Sequence, residues 1–158
     1  MEVRYWDASA FIAHLNKEEE RVDTCEAILE LARRGEVLIA TSAVTLTEVV
    51  KLEGKRPIGR DRASKIREFF KHEWISVRDA DRKVAEMAQD LLWDYPALDY
   101  KDAIHVATAI RWQIGCLETY DEDHLLPLNG RIGQPALVIR LPHAKQPVLP
   151  LREGETQE

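Results

Sequence analysis

Four acidic residues in this chain, Asp7, Glu48, Asp102 and Asp121, have the types and settings to act together. Asp7 directly follows an apolar run in Tyr5-Trp6-Asp7-Ala8-Ser9-Ala10, and Glu48 lies within Ala43-Val44-Thr45-Leu46-Thr47-Glu48-Val49-Val50. Asp102 opens Lys101-Asp102-Ala103-Ile104-His105-Val106-Ala107-Thr108-Ala109, and Asp121 follows Leu117-Glu118-Thr119-Tyr120. Carboxylates gathered at one point repel. Two unit charges about 4 Å apart cost on the order of 4 kcal/mol at an effective dielectric near 20. Such a cluster must protonate some members, pair them with arginine, or bind a cation. Lys101 is the one basic residue at a motif position, so a cation is the expected solution. Hard oxygen donors select Mg²⁺ or Mn²⁺, ions that keep waters and accept phosphate oxygens. The reaction this points to is phosphodiester hydrolysis, in which one or two ions activate water and stabilise the attacking and leaving oxygens.

Each acid also has a local reading. Asp7 could cap a helix starting at Ala8. Asp102, three residues after Asp99, could close a capping box and complement the helix dipole. Asp121 could begin a turn. Glu48 is the acid least explained locally, because Val44, Leu46, Val49 and Val50 surround it and an unsatisfied acid among apolar neighbours is costly. Four such coincidences in order are harder to explain than one site.

The elements that must position these acids alternate. Val3–Trp6 reads as a strand and Ala8–Leu15 as a helix. Val22, Cys25, Ile28, Leu29 and Ala32 then recur at helical spacing, with Gly35 as the stop. Val37–Thr41 has strand length, and Ser42 could cap a helix running to about Glu53. Gly54, Pro57 and Gly59 mark a loop before a helical stretch at 60–72. A strand is expected at 74–77, followed by helices capped by Asp81 and Asp99. Gly115 should end the second of these, with strands at 116–120 and 136–141 after it. This order predicts an α/β fold: a three-layer α/β/α sandwich with a mostly parallel central sheet. Right-handed crossovers put every strand's carboxyl end on one edge, where binding sites of such sheets open. All four acids fall at that edge.

With 158 residues the chain is expected to form one domain over 1–141, followed by a Pro-containing, polar and poorly ordered tail at 142–158. The two cysteines, Cys25 and Cys116, lack metal-type spacing and suit a reducing compartment. No signal-peptide pattern follows Met1, and no run nears the ~18 apolar residues of a membrane span. A cytoplasmic protein without membrane contact is expected. The net charge of −6 is unusual for a nucleic-acid binder, but it is uneven. Between Lys51 and Lys71, eight basic residues stand against three acidic ones, a local +5 that leaves −11 elsewhere. Arg60, Arg62 and Lys65 in this stripe are candidate RNA contacts, with a solvated helix face as the alternative.

The order and spacing of these motifs over residues 1–140 resemble a PIN domain, specifically the VapC-type toxin ribonucleases of toxin–antitoxin pairs. Asp7-Ala8-Ser9 matches the Asp that closes the family's first strand, and Thr47-Glu48-Val49 the helical Glu. Asp102-Ala103 through Ala107 and Ala109 matches the third acidic motif, and Thr119-Tyr120-Asp121 the fourth. The resemblance implies that the four acids are catalytic and cluster around Mg²⁺ or Mn²⁺. It also implies endonucleolytic cleavage of RNA, a homodimer, and a cognate antitoxin. One departure is that His124 stands where the family usually has an aromatic after the fourth acid, so Asp123 competes with Asp121 as the nearer metal ligand. Ser9 and Thr119 are candidate supporting residues. His105 reads as a packing or supporting histidine, His14 as structural, and Trp6, Trp74, Trp93 and Trp112 as core or partner contacts.

Competing readings have weaker support. A dehalogenase-like phosphatase needs a second Asp two residues after the first, where Ser9 stands. A receiver-type domain expects adjacent early acids and a late Lys, and neither pattern is present. A PIN-fold module that binds RNA or protein without cutting is the remaining alternative, and the four intact acids argue against it.

Overall fold

The chain winds outward from its first strand and then returns to that strand's other side. In this computed structural model residues 1–144 are described; 145–158, most of the expected tail, lie outside the described residues. The strands are β1 (Glu2–Trp6), β2 (Val37–Ser42), β3 (Ile75–Arg78), β4 (Cys116–Glu118) and β5 (Val138–Arg140). The helices are α1 (Ala8–Leu15), α2 (Val22–Arg33), α3 (Thr45–Glu48), α4 (Ala63–Phe69), α5 (Arg82–Asp94) and α6 (Tyr100–Arg111). All five strands are parallel, in the order β3-β2-β1-β4-β5. Tyr5 pairs with Ala40 on one side and Leu117 on the other, which fixes β1 at the centre.

Alternation along the strands supplies both core faces. Trp6 and Ile39 point into a cluster with Phe11, Ile28, Leu29, Ile66 and Phe70, beneath α1, α2 and α4. Tyr5 and Ala40 point the other way, into a cluster with Val84, Val106, Leu117 and Ile139, beneath α5 and α6. Because the sheet is covered on both faces, β2 opens with the unbroken apolar run Val37-Leu38-Ile39-Ala40. The three-layer sandwich expected from the sequence is the fold observed.

Local chemistry sets the element ends. Asp81 accepts from the Val84 amide (3.0 Å) and Asp99 from the Asp102 amide (2.9 Å), capping α5 and α6. Gly35 follows α2 with φ +76°, a left-handed stop that glycine adopts without strain.

The strands at 74–77, 116–120 and 136–141 are shifted or shortened by one or two residues at their ends, and three helical boundaries differ more. The helix expected from Ser42 to Glu53 is the single turn α3. Val44, Thr45, Thr47, Val49 and Val50 are β-branched and resist helix, and the Thr47 hydroxyl donates to the Val44 carbonyl (2.8 Å). The Ser42 hydroxyl instead accepts from the Val44 amide (3.2 Å). Helix α6 stops at Arg111 rather than at Gly115, with Gln113 at φ 55° turning the chain. The helical stretch expected at 60–72 begins as a 3₁₀ turn at Arg60–Arg62, leaving α4 only seven residues.

Since the chain runs β1-β2-β3 in one direction and then crosses to β4-β5, the switch point lies between β1 and β4. Their carboxyl ends splay around a crevice there. Asp7 follows one of these strands and Asp121 lies three residues past the other.

Candidate active site

Asp7 caps α1, as its local reading predicts, and is also built into a larger knot. Its Oδ1 accepts from the Ser9 hydroxyl (2.7 Å) and the Ala10 amide (3.3 Å), while Oδ2 accepts from the Thr119 hydroxyl (2.6 Å). Ser9 Oγ in turn accepts from the Tyr120 amide (2.9 Å), and Thr119 Oγ1 from the Asp121 amide (3.0 Å). The two supporting residues therefore tie the turn after β1 to the turn after β4. Burial pushes the Asp7 carboxyl above its ordinary value, against the pull of His105, Thr119 and Ser9.

Glu48 ends α3 and is 5% exposed. Its Oε1 lies 2.6 Å from Nε2 of His105 on α6, and Nδ1 of that ring lies 2.6 Å from the Tyr5 hydroxyl. Burial pulls the His105 imidazole down. The Glu48 hydrogen bond and charge, with the charges of Asp7 and Asp102, outweigh it and raise the ring above its ordinary value.

Asp102, in the first turn of α6, is pushed up to about 7, first by burial and then by the charges of Asp99, Asp121 and Asp7, with His105 opposing. That is the behaviour of a largely buried carboxyl whose charged neighbours are mostly other acids. Asp121 Oδ1 accepts from the amides of Asp123 (3.2 Å) and His124 (3.0 Å), so its turn-forming reading also holds. Ligand atoms of Asp102, Asp121 and His124 all lie within 4.8 Å of one another.

Asp7, Glu48, Asp102 and Asp121 line one cavity of about 430 Å³, together with Ser9, Asp123, His105 and His124. Among the described residues none of the four acids pairs with Lys or Arg; Glu48 pairs with His105, and Asp121 has His124 at 3.5 Å. Hard carboxylate oxygens, packed together without a lysine or arginine partner, fit a divalent cation such as Mg²⁺ or Mn²⁺. Asp123 also faces this cavity, but Asp121 is the one grouped with Asp102.

A family model described as the PIN domain matches residues 4–126. The chain belongs to the PIN domain family. PIN domains are generally nucleases that use divalent metals. Among curated proteins no sequence matches. Among solved structures, VapC20 of Mycobacterium tuberculosis, a toxin that cleaves the sarcin–ricin loop, aligns at 20% identity with a TM-score of 0.62, covering 77% of this chain and 92% of its own. A toxin–antitoxin complex from Klebsiella pneumoniae aligns at 20% identity and TM-score 0.62, over 90% of this chain and 99% of the other. VapBC2 from Rickettsia felis, bound to a DNA fragment from its promoter, aligns at 19% identity and TM-score 0.55, over 75% and 88%. The PIN architecture accounts for the shared edge on which the acids meet.

Basic residues also stand at this PIN-domain cavity. Arg21, Lys55 and Lys101 line it, whereas Arg60, Arg62 and Lys65 do not. Arg60 lines a separate, mostly apolar groove with Leu46, Val50 and Phe70, and Arg62 donates to the Leu15 carbonyl (2.8 Å). Arg21 stacks over Tyr120 at 4.4 Å, and both Arg21 (3.1 Å) and Lys55 (3.0 Å) bond Glu18. The sequence reading also missed the attachment of His105 to Glu48, 57 residues away, and the place of His124 beside Asp121. A signal for the first existed: an acid in so apolar a segment requires a polar partner from elsewhere.

Proposed function

We propose that this chain is a divalent-metal-dependent endoribonuclease of the VapC type, the toxin of a toxin–antitoxin pair. The observation that carries this reading is the convergence of Asp7, Glu48, Asp102 and Asp121 on one cavity, with no lysine or arginine paired to any of them among the described residues. These four residues would hold Mg²⁺ or Mn²⁺, with Asp123 as a further acid at the rim. When bound, the ion supplies a water of lowered pKa and offsets the charge that develops on the phosphate.

The protein's own residues do the rest. Ser9 and Thr119 each donate to a different oxygen of Asp7, so that carboxylate is aimed before any cation arrives. Asp99 caps α6 and so fixes the turn that presents Asp102. Arg21, Lys55 and Lys101 flank the acids and offer cations to the phosphates of a bound RNA strand. The catalytic unit is taken as residues 1–141. Toxin–antitoxin complexes among the structural relatives support a cognate antitoxin as partner, and a homodimer in the cytoplasm is the assembly this reading favours. No described helix is long and apolar enough to cross a membrane.

The test is cleavage of end-labelled RNA with Mg²⁺ or Mn²⁺, with EDTA, and with Asp102→Asn. Loss of a supporting residue at a metal site typically costs 10- to 100-fold, so loss of a ligand should cost more than about 100-fold. Metal-independent cleavage, or full activity of the variant, would refute the proposal. RNA binding without any cleavage by the wild type would favour a PIN-fold binding module.

A further inference from the structure

Glu48 is the one acid of the four carried by a helix too short to hold it. Helix α3 is a single turn in which Thr45 and Thr47 are β-branched, and a glutamate side chain has three rotatable bonds. Yet Glu48 is almost fully buried. What fixes it comes from α6 and β1. His105 lies one turn beyond Asp102 on the twelve-residue α6, so one helix carries one acid directly and grips a second. The His105 ring meets Tyr5 edge-on, with centroids 5.7 Å apart, and its Nδ1 is hydrogen-bonded to the Tyr5 hydroxyl. Tyr5 stands in the central strand two residues before Asp7 and is fully buried.

We propose that His105, braced by Tyr5, is a positioning residue that sets which oxygen Glu48 presents to the cavity. A carboxylate offers only lone pairs, so Nε2 carries the proton in this pair and donates to Oε1. Among the described residues Glu48 makes no other side-chain hydrogen bond. One oxygen is committed to the protein and the other remains for a ligand. A strand, a long helix and a one-turn helix are thereby coupled by two bonds of 2.6 Å. This inference rests on the metal-nuclease reading and adds to it a role for two residues outside the acidic set.

The experiment compares wild type, His105→Leu, His105→Gln and Tyr5→Phe in the full chain, by calorimetric Mn²⁺ titration, thermal melting and RNA-cleavage kinetics. His105→Leu should weaken Mn²⁺ binding about 10-fold and lower kcat 10- to 100-fold, while KM for RNA stays within about twofold. His105→Gln restores a donor near the Nε2 position and should recover most of both losses, and Tyr5→Phe should fall between. A purely structural histidine would lower the melting temperature without this split or this rescue. Wild-type Mn²⁺ affinity and kcat in His105→Leu, or no rescue by Gln, would overturn the proposal. If the Leu variant does not fold, unchanged Mn²⁺ affinity and kcat in Tyr5→Phe would do so. Silent variants beside an active, Mn²⁺-binding wild type sink this inference alone. A wild type that neither binds Mn²⁺ nor cleaves RNA sinks the nuclease reading as well.

Discussion

Glu118 and Asp121 are three residues apart, yet the fold treats the acids at these two places in opposite ways. Glu118 is fully buried and fully answered. Its Oε2 accepts from Arg140 Nε (3.1 Å) and Arg4 Nη1 (3.4 Å), and its Oε1 from the Trp6 indole (2.9 Å). Asp121, with Asp7 and Asp102, meets other acids and has no lysine or arginine partner among the described residues. Nothing in the types or the spacing of these residues tells the two cases apart. What separates them is whether the counter-charge is part of the chain. A buried acid with its cations built in fastens the strands, whereas convergent acids without one leave charge for something else to neutralise.

Removing Glu118 should therefore have a large effect on stability and none on the site. Glu118→Gln leaves two arginines facing a group that no longer offsets them, and breaking one side of a buried ion pair costs about 3–5 kcal/mol. A chain of this size should then melt roughly 6–20 °C lower. Mn²⁺ affinity, measured well below the new melting temperature, should be unchanged. A small thermal loss, or a parallel loss of metal binding, would erase the distinction between the two kinds of acid.

The opposite sign is expected at Asp102. Its carboxyl is held at about 7 in the folded protein, above the ordinary value for an aspartate, by burial and by its acidic neighbours. The folded state thus holds this proton more tightly than the unfolded chain does. Its contribution favours folding below about pH 4 and is lost as pH rises towards 7. Asp102→Asn removes the charge that burial penalises. At pH 8 in EDTA the variant should be more stable than wild type by about 1–2 kcal/mol, a figure discounted for partial solvent exposure. That corresponds to roughly 2–8 °C in melting temperature. With millimolar Mn²⁺ the order should reverse, because only the wild type gains from binding. An Asn variant less stable than wild type in EDTA would show that Asp102 is structurally answered, like Glu118.

Much of this was legible in the residues. The alternation of apolar runs and amphipathic stretches gave the strands and their order of helices, because a sheet covered on both faces leaves a strong signal. The carboxyl-edge rule then placed Asp7, Asp102 and Asp121 together without any contact being known. Boundaries were less legible where local and tertiary forces compete. Val44–Val50 has the length and apolar content of a helix, but its β-branching holds it to one turn. The apolar setting of Glu48 called for a polar partner, but His105 and Tyr5 could not be named, because the members of this chain are 57 and 100 residues apart. The orientation of the basic stripe was hidden for a different reason. Charge density along the sequence does not say which way a side chain faces, and Arg62 turns inward to a backbone carbonyl.

That stripe permits the finest version of the comparison, between cations beside the acids and cations away from them. Lys55 belongs to the stripe and reaches the cavity, where Arg21 joins it, while Arg60, Arg62 and Lys65 lie elsewhere. Arg21 and Lys55 are both shared with Glu18, so a phosphate must displace a partly exposed carboxylate to use them. The gain from each contact is accordingly small, below about 1 kcal/mol. The measurement is RNA binding across a salt series in the cleavage-impaired Asp102→Asn background. Each phosphate contact to single-stranded nucleic acid contributes about 0.7 to the slope of log K against log salt. Replacing Arg21 and Lys55 by Gln should flatten that slope by about 1.4, whereas charge reversal at Arg60, Arg62 and Lys65 should change it less per residue. If the stripe variants produce the larger change per residue, the RNA path runs along α4 rather than across the acids. The cavity cations would then belong with Glu118's arginines, as charges answered inside the fold.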